Sequence, residues 1–204
     1  GSWGFLDDGL ATGAAAAHSV SAQVTVTFGT LKAGHVMQPG RLLCGTVRVA
    51  DIGFSPEVLD AMEPFGRALT APEAARLLPR RQWNAHKNSA GRVFVVASSA
   101  GMTGAAALAA ESAYRAGAGI VRVGCPESLH DILEVKLTES LTIPLPEVRK
   151  RRCLSLRAMG MLRETSRNAD AVAIGPGLGT HHETSELVRR FVGEYAGKIV
   201  IDAD

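Results

Sequence analysis

The chain has 204 residues, with 22 Lys and Arg against 20 Asp and Glu and a formal net charge of +2. That balance is too even for a protein that binds nucleic acid or an anionic membrane by bulk charge, and no apolar run approaches the roughly 18 residues of a membrane span. The 46% apolar and 21% charged residues are ordinary for a soluble globular protein, while the 5% aromatics and 22 glycines favour close helix-on-sheet packing.

Residues 1–20 are rich in Gly and Ala and carry little periodicity. The opening Gly1-Ser2-Trp3-Gly4 has neither an initiator Met nor a signal peptide, so the chain is expected to begin inside a longer gene product. Residues 23–28 alternate polar and apolar, which predicts a strand with one face buried. Residues 29–40 read as a connector, and 46–52 as a second strand. Ser55-Pro56-Glu57 has the form of a cap followed by a proline at a helix start. Two strands without a full set of helices read as the tail of something larger. Between residues 63 and 87 the composition shifts to Pro, Arg and Ala, with Thr70 as the cap of a short helix and Pro79 as its stop. This is read as an interdomain linker.

From residue 88 the pattern becomes α/β. The stretch 91–124 holds an apolar strand at 93–96, a small-residue loop at 97–104, an Ala-rich helix at 105–115 and a second strand at 120–123. A helix at 126–137, a short strand at 140–145 and a charged turn at 147–152 follow. Next come a helix at 154–167, a strand at 171–174, a glycine loop at 175–179, a helix at 182–196 and a strand at 198–201. Strands alternating with helices predict a parallel sheet with helices on both faces. The sheet is expected to be incomplete, with an exposed apolar edge at 198–201.

Two loops are candidates for chemistry. Residues 97–104 and 175–179 both follow core strands and should open side by side on one rim of the sheet. There, unpaired N–H groups and helix dipoles meet anions. Thr103 adds a hydroxyl near a helix start. Neither loop matches the dinucleotide fingerprint G-x-G-x-x-G, since Thr180 follows Gly175-x-Gly177-x-Gly179, and neither ends in the Lys-Ser/Thr of a P-loop. Glycines at such corners also serve packing alone, so spacing leaves a ligand at one loop, at both or at neither open.

A longer series of motifs narrows the choice. His86-Lys87, Gly91-Arg92-Val93, Gly101-Met102-Thr103-Gly104-Ala105, Arg115-Ala116-Gly117-Ala118-Gly119, Ile174-Gly175-Pro176-Gly177-Leu178-Gly179 and Ile201-Asp202-Ala203-Asp204 occur in this order. The series resembles the first half of the ADP/ATP-dependent NAD(P)H-hydrate dehydratases, which have a ribokinase-like fold. Upstream, Val26-Thr27-Phe28-Gly29, Leu31-Lys32, Gly34 and Val49-Ala50-Asp51-Ile52-Gly53 resemble the last strands of the Rossmann-like NAD(P)H-hydrate epimerase domain. The order is that of the bifunctional NAD(P)H-hydrate repair enzymes, and the resemblance covers nearly the whole chain. It implies an epimerase tail at 1–62, a linker at 63–87 and the amino-terminal half of a dehydratase at 88–204.

The resemblance also implies an activity: repair of hydrated NADH and NADPH (NADHX, NADPHX). One domain interconverts the R and S hydrates, and the other is a hydro-lyase that removes water from the S form at the expense of ADP or ATP with Mg2+. The epimerase uses K+, and most of its site residues are missing here. Ala105 and Gly177 are the matching substrate contacts, with Thr103, Gly104 and Gly179 beside them. The catalytic and nucleotide-holding elements are expected beyond Asp204, so the chain alone should be inactive. A cytoplasmic location and a homo-oligomer when intact go with this reading. Two departures stand out: His86-Lys87-Asn88 replaces His-Lys-Gly, and Ala97-Ser98-Ser99 replaces Gly-Gly-Ser, adding Cβ atoms to a loop that is otherwise bare. The alternatives are a small-alcohol kinase of the same fold and a non-catalytic nucleotide-binding remnant.

The remaining polar clusters are weighed on residue chemistry. His86 and Lys87 are either a ligand pair or a loop pair holding the linker. His181-His182-Glu183 is set aside as a metal site because neighbours at a helix start point apart, and Glu183 suits the helix dipole. The run Arg149-Lys150-Arg151-Arg152 has no interleaved aromatics and reads as a solvated turn, not a nucleic-acid patch. Asp202 and Asp204, at a strand's carboxyl end, orient a ligand or cap a following helix. Cys44, Cys125 and Cys153 are too far apart for a metal-ligand motif and read as reduced thiols.

Overall fold

In the computed structural model, which describes residues 19–62, 66–78 and 83–202, strand β1 (Val24–Phe28) pairs in parallel with β2 (Thr46–Ala50), Val24 opposite Thr46 and Phe28 opposite Ala50. The predicted connector between them folds into two helical turns, α1 (Ala33–Val36) and α2 (Gly40–Leu43). Four residues are too few for a helical period to show in a sequence. The Lys32 ammonium closes the end of β1 by donating to Thr27 Oγ1 at 2.9 Å and to the Phe28 and Thr30 carbonyls at 2.8 and 3.0 Å.

One face of β1 is covered, as the alternation predicts, but it is the threonine face. Thr27 is buried, and the Thr25 hydroxyl donates to the Cys44 carbonyl at 2.7 Å, whereas Val24, Val26 and Phe28 are 53–56% exposed. Helix α3 (Pro56–Ala61) begins where Ser55 accepts from the Val58 N–H. Helix α4 (Ala71–Leu77) opens on a capping box: the Glu73 carboxylate accepts the Thr70 N–H at 2.9 Å, and the Thr70 hydroxyl accepts the Glu73 N–H at 3.4 Å. The predicted stop at Pro79 lies outside the described residues. The chain divides into two compact units at Leu77 and Leu78, inside the stretch read as a linker.

The second unit carries the candidate site. Its strands are β3 (Arg92–Val96), β4 (Ile120–Pro126), β5 (Leu141–Leu145), then the short pair β6 (Glu147–Val148) and β7 (Cys153–Leu154), then β8 (Ala171–Ile174) and β9 (Ile199–Ile201). Five of them form a parallel sheet in the order β5-β4-β3-β8-β9. Helices α5 (Thr103–Arg115), α6 (His130–Lys136), α7 (Met159–Ser166) and α8 (His182–Glu194) cover it.

Because side chains alternate along a strand, β3 feeds two cores. Val95 joins Ala106 and Ala110 of α5 and Leu133 of α6 on one face. Phe94 and Val96 join Leu162 of α7 and Leu187 and Phe191 of α8 on the other. Both faces are therefore covered, as predicted.

Several boundaries move. Pro126 ends β4, and a 3-10 turn at Glu127–Leu129 precedes α6. Pro144 sits inside β5, where an edge position spares it a ladder bond. The charged turn is the tip of the antiparallel β6–β7 hairpin, and the helix expected at 154–167 starts only after a 3-10 turn at Leu156–Ala158. Leu154 stays in β7, its carbonyl taken by the Thr184 hydroxyl at 2.7 Å.

Candidate functional site

Strands β3 and β8 are parallel neighbours, so the loops leaving their carboxyl ends emerge on one rim. The two corners also bond to each other. The Ser98 N–H donates to the Pro176 carbonyl at 2.9 Å, and the Ser99 hydroxyl donates to the Gly177 carbonyl at 2.8 Å. Gly177 has φ +66°, and a Cβ built on it would stand 2.9 Å from Met102 Cβ and 3.0 Å from Ala105 Cβ. The backbones can meet only because Gly177 is bare. Ala105 and Gly177, 72 positions apart by number (177 − 105), are thus in contact. A Cβ on Gly179 would lie 3.5 Å from both Met102 Cε and Ser99 Oγ.

These bonds draw the two corners directly together. The free surface is their crest, where Ala100, Gly101, Met102 and Gly104 are exposed. Met102 precedes α5 and provides no side-chain cap; the Ala105 N–H donates to the Met102 carbonyl at 3.3 Å, which leaves the Thr103 and Gly104 amides of the first turn facing outward. The Thr103 hydroxyl is already engaged, accepting from Lys136 Nζ at 2.6 Å.

Two non-glycine residues among those described have a left-handed backbone, Ser98 with φ +84° and Arg152 with φ +50°. Ser98 lies in the first corner beneath this crest, and Arg152 is bonded to it. Ser98 is fully buried, and its hydroxyl finds no partner. The Arg152 carbonyl accepts from the Ala100 N–H at 3.1 Å. Its guanidinium donates through Nε to the Ser128 hydroxyl at 3.1 Å and through Nη2 to the Ser128 carbonyl at 2.9 Å. The Ser128 hydroxyl in turn donates to the buried Glu147 carboxylate at 2.7 Å. Such backbone conformations persist where surrounding contacts over-determine them, and they gather at functional sites. Sequence reasoning misses Ser128 and Glu147 and reads Arg152 as part of a solvated turn; the signal available is a basic run a few residues past the carboxyl end of the predicted strand at 140–145.

The other predicted residues divide. Asp202 follows β9, donates its N–H to the Ile174 carbonyl at 2.9 Å, and has its Cβ 2.8 Å from where a Cβ on Gly175 would stand. It belongs to the second corner. Asp204 lies outside the described residues. His86 and Lys87 are on the opposite rim: the His86 carbonyl accepts from the Ser89 hydroxyl at 2.9 Å, and a Cβ on Gly119 would collide with the Lys87 carbonyl. Residues entering a strand lie at its amino end, away from the loops that leave it.

His181 caps α8, its Nδ1 accepting the Glu183 N–H at 3.3 Å, and the Glu183 carboxylate accepts the Leu156 N–H at 3.3 Å. Among the described residues no three His, Cys, Asp or Glu are grouped to hold a metal. Burial first, then the Glu134 charge, pushes the Cys125 thiol up to about 12, which leaves it protonated and unreactive. Concavities of about 400 and 220 Å3 lie beside the carboxyl ends of α5 and α8, lined in part by Tyr114, Arg115, Phe191 and Tyr195. These are at the far rim, without outward-facing helix amides, and the crest is the better candidate on chemistry.

Comparison with known proteins identifies the family. The family described as NAD(P)H-hydrate dehydratase matches residues 93–204, which include both corners. The chain belongs to that family. The bifunctional NAD(P)H-hydrate repair enzyme of Moorella thermoacetica is 42% identical over 186 residues, covering 91% of this chain and 35% of that protein. Its namesake from Salinibacter ruber is 38% identical over 196 residues, covering 95% and 36%. The chain thus spans about a third of the length of these relatives. Among solved structures, the ADP/ATP-dependent NAD(P)H-hydrate dehydratase of Bacillus subtilis, co-crystallized with ATP/Mg2+, aligns with TM-score 0.49 and 24% identity over 66% of this chain and 44% of that one. No helix among the described residues is long and apolar enough to cross a membrane.

Proposed function

We propose that this dehydratase-family chain binds the S hydrate of NADH or NADPH on the crest of the two glycine corners, as the substrate-holding part of an ADP- or ATP-dependent hydro-lyase. The observation that carries the reading is the contact between Gly177 and Ala105 on one rim, inside the family-matched segment. Bare backbone and small side chains let the hydrated nicotinamide ring approach closely. The outward amides at the start of α5 meet the diphosphate, and the helix dipole favours its charge. Phosphoryl transfer to the hydrate's hydroxyl makes a leaving group whose elimination restores the dihydropyridine double bond.

ADP or ATP is the phosphoryl donor in this reading, with Mg2+ accompanying it and K+ serving the epimerase. Among the described residues no three His, Cys, Asp or Glu are grouped to hold a metal ion, and no step is assigned through one. Residues 1–62 belong in the same proposal to the epimerase, which exchanges R and S hydrates. A cytoplasmic homo-oligomer completes the reading, and the three free, buried cysteines are consistent with a reducing compartment.

Gly104→Asp tests the site without threatening the fold. A Cβ at Gly104 meets nothing within 4 Å, and a carboxylate in the first turn stabilises a helix. Calorimetric titration of the chain with the S hydrate of NADPH should show binding that weakens about tenfold or more in the variant, roughly 1.4 kcal/mol, while its melting temperature holds or rises. Equal affinity in variant and parent would overturn the assignment.

A further inference from the structure

The basic turn at residues 149–152 reads from the sequence as a solvated surface, yet the fold hangs it on the candidate site. Arg149, Lys150, Arg151 and Arg152 are all exposed, and none of them is in an ion pair among the described residues. The tip is not a loose arm. The Arg151 and Arg152 N–H groups both donate to the Val148 carbonyl, at 2.9 and 2.8 Å, and the Arg152 carbonyl is held by the Ala100 N–H at 3.1 Å. Ala100 is the exposed residue next to Gly101, so the turn is fixed beside the first corner. Arg152 is pinned a second time through its guanidinium to Ser128, which is itself pinned to buried Glu147.

We propose that this turn is a phosphate-discriminating element of the site, which favours the hydrate of NADPH over that of NADH. The proposal rests on the reading above that the crest binds a dinucleotide hydrate. The two hydrates differ by one 2′-phosphate, a group carrying about −1.5 to −2 charge near neutral pH. Four clustered cations on a chain whose formal net charge is only +2 place the positive field locally beside the first corner, and in this proposal the 2′-phosphate end of the ligand lies toward it. Lys136, donating to the Thr103 hydroxyl at 2.6 Å, adds a fifth cation at the start of α5. Arg152 offers the directional part of the contact: Nη1 makes none of its bonds to Ser128, and a guanidinium fork suits phosphate oxygens. The other three supply field that salt screens over about 10 Å at 0.1 M.

The test is titration of the intact 204-residue chain with the S hydrates of NADPH and NADH, at about 0.05 M and about 0.5 M salt. At low salt the NADPH hydrate should bind about tenfold tighter, and the ratio should shrink to about twofold at high salt. The triple variant R149Q/K150Q/R151Q should bring the low-salt ratio to about twofold or less, as should R152Q alone. The triple variant alters only exposed side chains, so the result does not depend on whether R152Q disturbs the hairpin. Two hydrates bound equally by the parent, or a triple variant that keeps the parent's ratio, would overturn the phosphate assignment and leave the crest as a hydrate site. A folded parent that binds neither hydrate would overturn the crest reading, and this inference with it.

Discussion

Ser98 is the residue on which the first corner turns. Its φ of +84° lies where L side chains are disfavoured, its hydroxyl is buried without a partner, and its N–H holds the second corner through Pro176. The added Cβ is therefore accommodated at a cost, with no hydrogen bond in return. Ser98→Gly should stabilise the chain by about 1 kcal/mol, since it removes both the conformational strain and the orphaned hydroxyl, offset in part by the greater freedom of glycine when unfolded. Denaturant unfolding would show it as a raised midpoint at unchanged slope; a lowered midpoint would mean that the hydroxyl is satisfied in solution. The neighbouring Gly177 has the opposite sensitivity, because any Cβ there meets Met102 and Ala105 at about 3 Å.

At the scale of elements, α1 shows how a short helix is held and what weakens it. The Lys32 N–H donates to His35 Nδ1 at 3.2 Å, a bond that needs an unprotonated ring nitrogen. Burial, and then the positive charge of Lys32, holds the His35 pKa below its ordinary value of 6.5. The folded ring resists a proton that the unfolded ring accepts, so this contribution is fully present above pH 6.5 and is lost progressively as pH falls below it. The protection factors of the Ala33–Val36 amides, taken relative to intrinsic exchange at each pH, should fall between about pH 7.5 and about pH 5.5, and His35→Gln should flatten that dependence. A parent whose protection is the same at both values would contradict it. The β6–β7 hairpin illustrates the same scale from the other side. Four residues of strand organise a turn whose charges would otherwise have no defined position.

For the whole molecule, the edges of the sheet matter most. Strand β9 lies at one edge, with Val200 and Ile201 exposed by 68% and 54%. An apolar edge strand with unpaired backbone groups is a template for pairing with another chain. Val200→Lys should lower light scattering of the concentrated chain by severalfold while leaving its melting temperature nearly unchanged; unaltered scattering would place the association surface elsewhere.

Much of this architecture is legible along the chain because it is local. The apolar run at β3, the Ala-rich α5 and the glycines after β3 and β8 are set by backbone propensity and by the period of apolar residues, and both can be read without neighbours. That the two corners share a rim also follows, since parallel strands leave in one direction. Packing decided the remainder. Residues 1–62 alternate correctly at β1, yet only the tertiary contacts show that Thr25 and Thr27, and not the valines, face inward. His86 and Lys87 share a motif series with Gly101–Ala105 in sequence, yet strand direction sends them to opposite rims. Glu147 and Arg152 lie 19 and 24 positions from Ser128, and no period links them to it. Their meeting, and the closing of Gly177 on Ala105, depend on register between strands distant in the chain, which the side-chain pattern of any one strand leaves undetermined.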